Sequence, residues 1–117
     1  MKQIILVEDD PAITDTLRLF IQAMGFELTA YRDGNAILSG LKTLPDLFLL
    51  DKQLPGIDGL DICRFLKSKK ETQNIPVVIM SASPSVIPLS KLAGADEVII
   101  KPYELIEMRE LLFKFIQ

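Results

Sequence analysis

Four short runs of unbroken apolar residues recur along the chain: Ile4-Ile5-Leu6-Val7, Leu47-Phe48-Leu49-Leu50, Val77-Val78-Ile79-Met80 and Val98-Ile99-Ile100. Runs of this length without polar alternation predict strands covered on both faces. Phe26-Glu27-Leu28-Thr29-Ala30-Tyr31 is more mixed and predicts an edge strand. Between the runs the apolar spacing becomes that of a helix. Asp10 is placed to cap a helix beginning at Pro11, where no amide donor is needed. Ile13, Leu17, Phe20, Ile21 and Met24 share one face of it, and Gly25 ends it. Asp33-Gly34 opens a second helix containing Ile37, Leu38 and Leu41. A third starts near Gly59, with Asp58 placed to cap it, and turns Ile62, Cys63, Phe65 and Leu66 inward. Pro84 and Pro88 crowd the start of a fourth, which is short, over 86–93 at most. The last runs over roughly 104–116, with Leu105, Met108, Leu112, Phe115 and Ile116 as its core face. On its flank, Ile106 and Phe113, with Arg109 nearby, either widen the buried stripe or meet a partner.

Strand followed by helix, five times over, predicts an α/β fold with a parallel sheet and right-handed crossovers. In open sheets of this kind ligands bind beyond the carboxyl ends of the strands. Glu8, Asp9 and Asp10 follow the first strand, Asp51 the third, Ser81 the fourth, and Lys101-Pro102 the fifth. With Asp10 assigned to the helix cap, three carboxylates, a hydroxyl and an ammonium converge on one end of the sheet.

Composition narrows the field. The 117 residues, 49% hydrophobic and 25% charged, suit one folded domain over 1–117, without linkers, repeats or low-complexity stretches. No apolar run approaches the ~20 residues of a membrane span, and the first residues turn acidic too soon for a signal peptide. The net charge of −3 argues against a nucleic-acid surface. Cys63 is the only cysteine, which excludes an internal disulfide and fits a reducing cytoplasm; on an apolar helix face it reads as an inert core thiol. The absence of histidine removes His-based metal sites, Ser-His-Asp triads and phosphohistidine chemistry on this chain.

Charge then constrains the cluster. Glu8, Asp9 and Asp51 repel one another in a partly buried cleft, so either their pKa values rise or a cation neutralises them. Lys101 is too little for three carboxylates. A hard divalent cation with oxygen ligands, Mg²⁺, closes the balance, and its taste for phosphate oxygens points to a phosphoryl group beside it. Asp51, at the mouth of a central strand, is placed as a nucleophile forming an acyl phosphate. Ser81 and Lys101 are placed to hold phosphoryl oxygens.

These residues resemble the receiver domain of two-component response regulators. The resemblance covers the whole chain and rests on five motifs in order: Val7-Glu8-Asp9-Asp10; Leu50-Asp51-Lys52-Gln53-Leu54-Pro55-Gly56-Ile57-Asp58-Gly59; Ser81-Ala82; Gly94-Ala95-Asp96-Glu97; and Lys101-Pro102-Tyr103. It implies a flavodoxin-like (βα)5 three-layer sandwich with a five-stranded parallel sheet in the order 2-1-3-4-5. It implies that Asp51 accepts phosphate from a histidine kinase or histidine phosphotransfer protein. Asp9 would bind Mg²⁺ directly, Glu8 through water, and Gln53 through its backbone carbonyl. Ser81 and Lys101 would contact the phosphoryl group, Lys101-Pro102 would be a cis peptide, and the switch would act on a downstream target or effector domain.

Two departures stand out. Val98 occupies a position where the family often has Tyr or Phe, so an aromatic gate coupled to Ser81 is missing. The proline-rich Ser83–Pro88 segment predicts a short or displaced fourth helix, which bears on the family's dimer face; a homodimer through the fourth and fifth helices is one candidate contact. Other readings fit less well. A haloacid-dehalogenase-type phosphatase would place its nucleophile after the first strand, where this chain has Glu8. A flavodoxin-like electron carrier would need a phosphate-cradling loop where Glu8-Asp9-Asp10 stands. A receiver-like fold used only for binding would not need the intact acid-Asp-Ser-Lys set.

Overall fold

The computed structural model describes residues 1–117. Strands and helices alternate throughout: β1 Gln3–Val7, α1 Pro11–Ala23, β2 Glu27–Tyr31, α2 Asn35–Leu38, β3 Leu47–Asp51, α3 Gly59–Ser68, β4 Val77–Ser81, α4 Val86–Leu92, β5 Glu97–Ile100 and α5 Leu105–Phe115. All strand pairs are parallel and the sheet order is β2-β1-β3-β4-β5, as the resemblance implied.

Alternation along the apolar strands sends successive side chains to opposite faces. Ile4, Leu6, Leu47, Leu49, Val78, Met80 and Ile99 pack with Leu17 and Ile21 of α1 and Met108 and Leu112 of α5. Ile5, Val7, Phe48, Leu50, Val77 and Ile79 pack with Ile37 of α2, with Ile62, Cys63 and Leu66 of α3, and with Val86 of α4. Two cores on either side of one sheet make three layers, which is why the strands carry no polar face.

Caps fall where the sequence predicts them. The Asp10 carboxylate accepts from the Ala12 amide at 2.9 Å, and Asp58 caps α3 by accepting from the Leu60 amide at 2.7 Å. Three expectations need correction. The second helix is a single turn that stops before Leu41, because Gly40 takes a positive φ of 104°. Leu105 is not part of the α5 core face; it is exposed at the first helical position, ahead of the turn that meets the sheet. Phe65 is only half-buried, at the edge of its cluster. On the flank of α5 the two open residues divide: Phe113 packs edge-on against Phe26 with ring centroids 5.7 Å apart, while Ile106 is exposed. No helix is long and apolar enough to cross a membrane.

Candidate functional site

The hydrogen-bond ladder runs one residue past several strands and thereby aims the side chains beyond their carboxyl ends. The Glu8 amide donates to the Tyr31 carbonyl at 3.0 Å, the Lys52 amide to Met80 at 2.8 Å, and the Lys101 amide to Ser81 at 2.7 Å. Strand alternation continued through these positions puts Glu8, Asp51 and Lys101 on the α1/α5 side of the sheet and Ser81 on the α3/α4 side.

Contacts follow this parity. The Lys101 ammonium lies 3.2 Å from Asp51 Oδ2 and 3.4 Å from Glu8 Oε1, joining residues 50 and 93 positions apart into one ion cluster. Glu8, Asp51 and Ser81 are buried, Lys101 is half-buried and Asp9 is exposed. One carboxylate oxygen from each of Glu8, Asp9 and Asp51 can be chosen so that all three lie within 4.8 Å of one another. Burial chiefly, and then the hydrogen bond and charge of Asp51, push the Glu8 carboxyl up from 4.5 to about 7, against the pull of the Asp10 amide and Lys101. A proton near neutrality is the chain's own answer to crowded carboxylates. A divalent cation with oxygen ligands meets the same need, so the donor set fits Mg²⁺.

On the other side of Asp51 an open cleft of about 210 Å³ is lined by Lys52, Gln53, Ser81, Ser83, Ser85 and Lys101. Ser81 Oγ accepts from the Ser83 amide at 3.2 Å, and the Ser83 and Ser85 hydroxyls share a 2.7 Å hydrogen bond, so the β4–α4 loop is laced by hydroxyls. Gly59 brings α3 directly under β3: a Cβ there would sit 2.1 Å from the Asp51 carbonyl oxygen, which leaves glycine alone at that position. The Lys101–Pro102 bond is cis.

A family model described as the response regulator receiver domain matches residues 4–113. The chain belongs to that family. A receiver domain is a phosphoacceptor switch of two-component signalling, not a metabolic enzyme. Among its relatives, the phosphate regulon transcriptional regulatory protein PhoB of Rhizobium meliloti is 35% identical over 113 residues, covering 92% of this chain and 49% of PhoB. The receiver thus spans about half the length of the curated relatives it matches. Among solved structures, a putative response regulator from Chloroflexus aurantiacus superposes with a TM-score of 0.92 at 26% identity, covering 97% of this chain and 96% of the other. TrrA of Thermotoga maritima, solved in complex with Mg²⁺-BeF, gives 0.88 at 30% identity, covering 99% and 100%.

The residues singled out from the receiver's sequence are brought together: Glu8, Asp9, Asp51 and Lys101 in one cluster, Ser81 and Gln53 on the adjoining cleft. Two neighbours were not singled out. Lys52 lies in the cleft wall and pairs with Asp58 at 2.9 Å. Its place beside Asp51, one step out of phase along the strand, was the available signal. Tyr103 is half-buried, and burial followed by the charges of Glu8 and Asp51 pushes its hydroxyl up, so it stays protonated beside the site. Its position after the Lys-Pro pair was visible, but its proximity was not.

Proposed function

We propose that Asp51 accepts a phosphoryl group from the phosphohistidine of a histidine kinase or histidine phosphotransfer protein. A carboxylate oxygen of Asp51 bonds to phosphorus as the donor's N–P bond breaks, and the departing imidazole keeps the electron pair and takes up a proton. The observation that carries this reading is the Lys101 ammonium bridging Asp51 and Glu8 at the mouth of the cleft that holds Ser81.

Asp9 and Asp51, with the Gln53 backbone carbonyl and Glu8 through water, are the residues that would hold Mg²⁺. When bound, Mg²⁺ supplies positive charge to the phosphoryl oxygens and neutralises the acidic cluster. Lys101 orients a phosphoryl oxygen as a charged donor. Ser81 turns from its own loop to donate to another, and in doing so shifts the β4–α4 segment between two arrangements. Val98 is half-buried against the α3/α4 core, so the shift is transmitted without an aromatic gate.

The output is a changed protein surface, read in the cytoplasm by a downstream target or effector domain. The exposed Leu89 and Leu92 of α4, with Leu105 and Ile106 of α5, support a contact there, a second copy of the receiver included. No contact with nucleic acid or membrane is proposed for this domain.

The test is direct. With Mg²⁺ and acetyl phosphate or beryllofluoride, the wild type should form an adduct that requires Mg²⁺, and Asp51→Ala should form none. A wild type without the adduct, or an Asp51→Ala variant that keeps it, refutes the assignment.

A further inference from the structure

We propose that Lys52 is a second cation for the phosphoryl group on Asp51, held in reserve by an exchangeable ion pair with Asp58. The inference rests on Asp51 as the phosphoacceptor. Phosphorylation replaces the single charge of the Asp51 carboxylate by close to two on the acyl phosphate. With Glu8 and Asp9 ionised, one divalent cation and Lys101 still leave about one unit of negative charge in a half-buried cleft. A further cation would balance it, and Lys52 is the only other cationic residue in the wall of that cleft.

Geometry allows it to arrive. Lys52 directly follows Asp51, and its amide still bonds to Met80, so its side chain leaves on the opposite parity from Asp51. That is the α3/α4 side, shared with Ser81 and away from Glu8 and Asp9. Its ammonium pairs with Asp58 Oδ2 at 2.9 Å, and both side chains are about one-third exposed. Ion pairs this wet contribute little and break readily. Asp58 does not depend on Lys52, because its other carboxylate oxygen holds the α3 cap through the Leu60 amide. Lysine, a point charge on a flexible stem, can change partners without a fixed docking geometry. Lys52 therefore moves from Asp58 to a phosphoryl oxygen when Asp51 is modified. Asp58 competes with the phosphoryl group for it.

The competition makes predictions of opposite sign. Affinity for fluoroberyllate, read by ¹⁹F NMR at saturating Mg²⁺, should weaken about fivefold in Lys52→Met and recover in Lys52→Arg. Asp58→Asn keeps a good helix cap and frees Lys52, so it should bind a few-fold tighter. That gain should vanish when Asp58→Asn is placed on Lys52→Met. Mg²⁺ affinity measured without fluoroberyllate should not fall in Lys52→Met, since a cation has been removed. Lys52→Met within twofold of wild type, or an Asp58→Asn effect that survives in the double variant, overturns the proposal. Failure of the phosphoacceptor assignment is distinct from this: it appears as an adduct that persists in Asp51→Ala or is absent from the wild type.

Discussion

Glu8 is the residue on which the chemistry of the metal-free site turns. Its carboxyl is raised to about 7, first by burial and then by Asp51. The folded protein therefore holds a proton that the unfolded chain, with Glu8 near 4.5, has released by neutral pH. The stability this proton brings is complete below the unfolded value and is lost as pH rises through the folded one. The metal-free receiver should thus melt at a lower temperature at pH 8 than at pH 5.5, and Glu8→Gln should flatten the difference. On the proposed function Mg²⁺ and the proton compete for one cluster, so Mg²⁺ affinity should rise across pH 6–8, read by titration at each pH. Neither Tyr103 nor Cys63 confuses this window. Tyr103 is shifted upward, and burial takes the Cys63 thiol to about 11, so it is neutral and unreactive as its core position suggests.

At the level of elements, the site depends on how closely α3 is drawn beneath β3. Gly59 allows that approach, its amide donating to the Lys52 carbonyl at 2.9 Å. Gly59→Ala should cost about 2 kcal/mol in chemical denaturation, since a methyl group must displace backbone rather than a flexible side chain. It should also weaken the beryllofluoride adduct, because the displaced carbonyl belongs to Asp51 itself. Gly40→Ala, where only positive φ is strained, should cost about 1 kcal/mol and leave the adduct intact. A second junction fastens the far end of α3. The Lys67 ammonium donates to the Gln73 and Ile75 carbonyls and to Asp96, whose carboxylate also accepts from the Val77 amide. One lysine thus ties α3 to the starts of β4 and β5, at the opposite end of the sheet from the cleft.

Over the whole molecule, two cores clamp the sheet and the acidic cluster sits at its carboxyl edge, so a ligand there is linked to global stability. A ligand bound only by the folded form adds ~2.7 kcal/mol at a hundredfold excess over its Kd. Beryllofluoride with Mg²⁺ should therefore raise the melting temperature of the wild type by several degrees and leave Asp51→Ala at its Mg²⁺-only value. The fold itself was legible because each strand is an apolar run covered on both faces and each helix repeats at its own period. Local signals failed where packing or one backbone angle decides. Helix α2 ends at a glycine φ, and Leu105 begins α5 one turn before the sheet is reached.

The sequence alone determined the βα rhythm, the caps at Asp10 and Asp58, and the acid, Asp, Ser and Lys positions after the strands. All of these depend on residues a few places apart. Only the tertiary structure decided that Lys101 bridges Asp51 and Glu8, that Glu8 is buried deeply enough to hold a proton near neutrality, and that Lys52 faces the cleft through a loose pair with Asp58. Those facts arise from strand order, ladder register and side-chain parity across the sheet, which no short stretch of chain contains.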